Sequence, residues 1–149
     1  MEPEYDFLKY WRIVRYWARV KYEVSTAELD LLLYLHSEGP FTRDQVMEYE
    51  QLMSFDKDRF RILLRDKIII KWRKGKSRSK AMFVLSFDTK MMITAIYRKL
   101  AGLQGISENY QENPVFDELI SNNNNKRYRK AIKKLNERIK LKADQEYCR

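Results

Sequence analysis

The sequence predicts a mainly α-helical fold that carries one small β-hairpin. Apolar residues recur at helical spacing along most of the chain. Residues 68–85 break that pattern with two β-branched and aromatic runs around a polar, glycine-containing tip. With only 4 Gly and 3 Pro in 149 residues, the chain is also too poor in turn formers for an all-β architecture. Hydrophobic residues make up 44%, enough for a globular core.

The first element is a helix over Tyr5–Tyr22. Phe7, Tyr10, Trp11, Val14, Trp17 and Ala18 recur at its spacing, and Lys9, Arg12, Arg15 and Arg19 fall between them. Ile13, Tyr16 and Val20 widen the apolar face beyond one core contact, which suits a helix that also meets a second subunit. A second helix starts after Ser25-Thr26, with Ser25 and Glu28 in a capping-box pattern. It runs through Leu29, Leu32, Leu33 and Leu35 until Ser37-Glu38-Gly39-Pro40 stops it. Thr42 and Gln45 make another capping-box pattern for a third helix, continuing through Val46, Tyr49 and Leu52. Ser54 or Asp56 then caps a fourth, whose buried stripe is Phe60, Leu63 and Leu64. Three short helices, each with one apolar face, are the ingredients of a helix-turn-helix.

Ile68-Ile69-Ile70-Lys71-Trp72 reads as a strand, Lys74–Lys80 as a turn and Ala81–Leu85 as a second strand. A further helix follows from Thr89 to about Leu103. Gly102 to Pro114 reads as a connection and Val115–Ile120 as a short helix, interrupted by Ser121 and the Asn122–Asn125 run. The last helix carries Tyr128, Ala131, Ile132, Leu135 and Ile139 on one face. The expected fold is a winged helix-turn-helix, mainly α with a small hairpin wing and extra N- and C-terminal helices. Residues 1–103 form that domain with an N-terminal dimer-type helix, and 104–149 a basic C-terminal helical arm.

Net charge is +9, and its distribution is uneven. Residues 57–80 hold eleven Lys/Arg against two Asp, and residues 126–142 sum to +8, whereas 1–56 sum to −5. Localised basic charge is what a polyanion-binding surface needs. On the fourth helix the face opposite the apolar stripe presents Lys57, Asp58, Arg61 and Arg65, with Arg59 nearer an edge. Lys57 and Arg61 are placed to read base edges in a major groove and Arg65 to hold phosphate, and Arg59 joins them as a DNA-binding candidate. Ser54 lies at the helix N-terminus, where exposed amides favour an anion. Arg73, Lys74, Lys76, Arg78 and Lys80 crowd the hairpin, a repulsive arrangement that an anion relieves. The C-terminal cations suit either phosphate tracking or a solvated face behind a packed stripe.

In element order and spacing, Tyr5 to Leu103 resembles the MarR family of bacterial winged-helix regulators. Tyr5–Tyr22 is similar to the family's dimer-forming helix, Thr42–Leu52 to its supporting helix and Asp56–Lys67 to its recognition helix. Trp72–Met82 is similar to the wing and Leu85-Ser86 to the family's Leu-Thr step. The family's glycine before the wing strand is replaced near Lys67-Ile68, and its glycine after the Leu-Thr step appears as Thr89. Lys76-Ser77-Arg78-Ser79-Lys80 stands where Asp-x-Arg is usual. A divergent relative encoded by a phage or mobile element fits this pattern. The resemblance implies a double-stranded DNA-binding transcriptional regulator, with Arg78 inserted in the minor groove. It also implies a homodimer built through Phe7, Trp11, Val14, Tyr128, Ile132, Leu135 and Ile139. Some relatives take a small-molecule effector; Trp11, Tyr16 and Trp17 would line its pocket, although packing accounts for them equally.

Other constellations are poor. Cys148 alone builds no disulfide framework or cysteine-rich zinc site. His36, the one histidine, sits near a helix end beside Glu38, in a capping or interface position. No phosphate loop, metal-ligand spacing or nucleophile with a base partner is present, so neither an enzyme nor a cofactor is expected. No apolar run approaches a membrane span and no signal peptide is recognisable, so the expectation is a cytoplasmic protein without a membrane partner. The alternative function is a structural or assembly protein, for example virion-associated, that uses the same scaffold for protein or nonspecific nucleic-acid contacts.

Overall fold

Side-chain caps set most of the helix starts. A computed structural model of the chain describes residues 7–53, 58–76, 79–119 and 122–147. It is mainly helical, with one two-stranded antiparallel sheet, and it divides into two units. One comprises Ser25–Thr94; the other comprises Met1–Val24 with Ala95–Arg149.

The Ser25–Thr94 unit begins with α2 (Thr26–Glu38), which follows α1 of the other unit. The Ser25 hydroxyl accepts from the Glu28 backbone N–H at 3.1 Å, satisfying one of the orphan donors of the first turn. Gly39, at φ 76, ends the helix in a conformation that a Cβ disfavours. Next, α3 (Arg43–Glu50) opens with a complete capping box. Gln45 N–H donates to the Thr42 hydroxyl at 3.4 Å, and Thr42 N–H donates to the Gln45 side chain at 2.9 Å.

The fourth helix, α4 (Arg59–Arg65), is shorter than the expected Asp56–Lys67. The proposed caps Ser54 and Asp56 lie outside the described residues. The N-cap position belongs to Asp58, whose carboxylate receives Arg43 at 3.2 Å instead of capping the backbone. The start of α4 is held from α3, where the Glu50 carboxylate accepts the Phe60 N–H at 3.0 Å. Burial raises the Glu50 pKa, against the pull of that hydrogen bond. Beyond α4, Lys67 adopts a left-handed conformation at φ 56 and turns the chain into the hairpin.

Strands β1 (Ile69–Arg73) and β2 (Met82–Leu85) pair antiparallel. Phe41, between α2 and α3, adds a one-residue bridge on the other edge of β2: Phe41 N–H donates to the Phe83 carbonyl at 2.9 Å and Phe83 N–H to Phe41 at 2.7 Å. Phe83 is therefore central, with the Phe60 ring edge-on to it at 4.9 Å. Leu29, Leu32, Leu35, Phe41, Val46, Phe60, Leu63, Ile69 and Leu85 are buried with it. The helix α5 (Phe87–Leu100) starts two residues before the expected Thr89, because Ser86 accepts the Thr89 N–H at 3.4 Å. Thr89 is buried and donates its hydroxyl to the Ile68 carbonyl at 3.1 Å. That bond ties the start of α5 to the start of β1.

In the second unit, α1 (Phe7–Tyr22), the 3-10 turn Pro114–Phe116 and α6 (Asn123–Tyr147) pack on one another. Of Val115–Ile120, expected as a short helix, Val115 and Phe116 belong to that turn, which Asn113 caps through the Val115 N–H at 3.1 Å, and Ile120 lies outside the described residues. The Asn122–Asn125 run does not interrupt structure. Asn122 receives the Asn124 N–H at 2.9 Å and begins α6, a position that asparagine favours. Asn136 on α6 clasps the backbone of Ile106, accepting its N–H at 2.9 Å and donating to its carbonyl at 2.7 Å. Among the described residues no helix is long and apolar enough to cross a membrane.

Candidate nucleic-acid interface

The amphipathic pattern of α4 sets where its cations lie. Phe60 and Leu63 turn inward and are buried, which leaves Arg61 and Arg65, one helical turn apart, exposed as expected. Arg65 pairs with its neighbour Asp66 at 3.1 Å while its side chain stays 71% exposed. Such a pair contributes little and is easily exchanged for a phosphate. Among the described residues Arg61 has no ion pair.

Arg59 behaves differently. Its guanidinium pairs with Glu28 on α2, and both side chains are about four-fifths buried. Assignment of Arg59 to DNA is therefore corrected: desolvation and a carboxylate partner make it a tie between α2 and α4. Ser54, Lys57 and Arg78 lie outside the described residues.

On the hairpin, Lys76 and Ser79 exchange both backbone hydrogen bonds, at 2.8 and 3.0 Å, and so close the tip. Gly75 sits where the returning chain passes; a Cβ there would stand 3.0 Å from the Ala81 nitrogen. Arg73, Lys74 and Lys76 are exposed, and among the described residues none has an ion pair. Lys80 is exposed as well but pairs with Asp44 on α3, which raises its pKa through that hydrogen bond. The hairpin is thereby tied to α3 beside its tip while Arg73, Lys74 and Lys76 stay exposed. Lys71 joins the exposed set, and pattern reading missed it because it counted as a strand residue. A strand position that a short sheet leaves uncovered on both faces was the signal available.

The residues assigned to a dimer interface are mostly used within the chain. Val14, Ile132 and Leu135 are buried at 0, 0 and 3% exposure in the α1–α6 unit, so that assignment is corrected for these three. Tyr128 stacks on Tyr16 with centroids 3.8 Å apart. Trp11 and Ile139 are half-buried, and the Phe7 side chain lies outside the described residues. Of the three aromatic residues proposed for an effector, Trp11 is half-buried and the other two have partners within the unit. Trp17 is buried beneath the Lys99 ammonium at 4.6 Å, while Tyr16 is taken by Tyr128 and donates to Asn125. Two clefts of this unit run along Tyr110, Phe116 and Lys133, and along Tyr10, Ile13 and Leu141.

The C-terminal cations split. Arg129 is structural, donating to the Val115 carbonyl at 2.6 Å and the Asp117 carbonyl at 2.9 Å, and so pinning the 3-10 turn. Arg138 donates to the Tyr10 hydroxyl at 3.0 Å. Lys126, Arg127, Lys130, Lys133, Lys134, Lys140 and Lys142 are exposed along α6. Among the described residues no group of three or more His, Cys, Asp or Glu is placed to hold a metal ion. No family model, curated protein or solved structure matches the chain.

Proposed function

We propose that Ser25–Thr94 is a winged helix-turn-helix of MarR-like type that binds double-stranded DNA as a transcriptional regulator. Support comes from the order α2, Phe41 bridge, α3, α4, β1, β2, in which α4 feeds a basic hairpin. The observation that carries the reading is the sorting of cations: Arg61, Lys71, Arg73, Lys74 and Lys76 are exposed without an ion pair among the described residues, whereas Arg43, Arg59, Arg65 and Lys80 have acidic partners. A helix offering Arg61 fits a major groove, and the hairpin reaches the neighbouring minor groove or backbone. No catalytic step and no cofactor belong to this reading.

A homodimer would present two such helices to two half-sites. Val14, Ile132 and Leu135 are taken up internally, so its contacts involve other surfaces, among them Leu8 and Leu141, which are 82 and 61% exposed. The second reading is an assembly protein with nonspecific nucleic-acid contacts. The long row of exposed α6 cations favours it, because it extends positive charge well beyond one recognition element.

Selection from a random-sequence duplex pool at near-physiological salt tests the choice. A pseudo-palindromic motif, lost with Arg61→Ala, supports a dimeric regulator. Uniform enrichment supports the assembly reading, and no enrichment with no binding removes both.

A further inference from the structure

Of the three tryptophans, Trp17 is 2% exposed and Trp11 half-buried, but Trp72 on β1 is 58% exposed. Its position is built. Lys71 pairs with Phe83 and Arg73 with Met82, so Trp72 is the extra residue of a β-bulge, a device that re-aims a side chain out of the ladder. Ile70 on the same strand is 46% exposed. The Arg73 guanidinium lies 5.9 Å from the Trp72 ring centroid. Lys71, Lys74 and Lys76 surround the ring in sequence, all exposed. A large ring left 58% exposed forgoes the stabilisation of burial.

A flat π surface among solvated cations is the chemistry that holds a nucleic-acid strand by its phosphates while stacking an unpaired base. Charge decides the occupant: an apolar protein partner would have to desolvate four cations, whereas a polyanion is attracted by them. We infer that Trp72 is a stacking platform for an unpaired DNA base, so that the hairpin favours duplex next to an opened or single-stranded segment. This inference rests on the DNA-binding reading above and adds a ligand feature to it.

Binding of the full chain to three labelled probes tests it: a blunt duplex, the same duplex with an oligo-dT overhang, and oligo-dT alone. The wild-type chain is expected to bind the overhang duplex roughly tenfold more tightly than the blunt one, in line with stacking of a single base. Trp72→Ala should abolish that gain and leave blunt-duplex affinity nearly unchanged, while Trp72→Phe keeps most of it. Overhang binding should also quench tryptophan emission in the wild type and not in Trp72→Phe. Equal affinity for blunt and overhang duplex, or a gain that survives Trp72→Ala, overturns the inference and leaves duplex binding standing. Failure of all three probes to bind overturns both. Thermal melts that match the wild type show that each variant is folded.

Discussion

Arg59, the first residue of α4, is paired with Glu28 in the first turn of α2, while Arg61, two positions later, is exposed. The two arginines therefore carry separable consequences. Arg59→Ala leaves a desolvated carboxylate without its partner and should cost about 2 kcal/mol of stability. Arg61→Ala should leave stability within about 0.5 kcal/mol and weaken DNA binding instead. Chemical denaturation alongside a duplex titration checks both. Equal stability losses would contradict the division.

Lys67 holds a left-handed conformation at φ 56, which costs an L-residue roughly 1–2 kcal/mol. Lys67→Gly relieves this but loses more chain entropy on folding, so the expected net gain is about 0.5 kcal/mol. A denaturation midpoint at or below that of the wild type counts against strain at this junction.

Gly105 faces Asn136 so closely that a Cβ would stand 2.7 Å from its Oδ1. Gly105→Ala should push the amide off Ile106 and destabilise by about 2 kcal/mol. Asn136→Ala removes the clash along with the clasp, so the double variant should be more stable than the sum of the single losses implies. Strict additivity in the double-mutant cycle would show that the two positions do not communicate.

Lys99 is 7% exposed, with its ammonium 4.6 Å from the Trp17 ring centroid and hydrogen-bonded to Gln104 at 3.3 Å. Burial first, then Lys21 and Arg98, lower its pKa from the ordinary 10.5. The unfolded chain thus binds this proton more tightly than the folded one. The stability associated with Lys99 is present above the unfolded pKa and is lost as pH falls through the lower folded value. At neutral pH the charge opposes folding. Lys99→Met should therefore melt higher than the wild type at pH 7, and the gap should shrink as pH rises toward 10.5. Melts across that range check it; a gap independent of pH excludes the charge as its cause.

Local chemistry was the legible part of this chain. Ser25, Thr42 and Gln45 announce helix starts because a cap needs only residues three apart. The alternation of Phe60, Leu63 and Arg61 placed α4's inner and outer faces for the same reason. Features set by distant partners were not legible. The Phe41 bridge is one residue long and has no period, and Arg59 finds its carboxylate 31 positions away in Glu28. The apolar stripes around Val14 and Ile132 show that each helix needs a cover, but a stripe does not say whether the cover is its own chain or another. The exposure of Trp72 depends on a bulge, which appears only once the register with β2 is known.

The most direct test of the account is the salt dependence of duplex binding, wild type against a variant with Lys71, Arg73, Lys74 and Lys76 all replaced by Ser. Each phosphate neutralised contributes about −0.9 to the slope of log K against log salt. The wild type should bind with a steep negative slope, and the variant should be shallower by about 3 to 4 while melting at the same temperature. An unchanged slope, or a wild-type chain that does not bind duplex at low salt, would contradict the assignment of this hairpin to DNA.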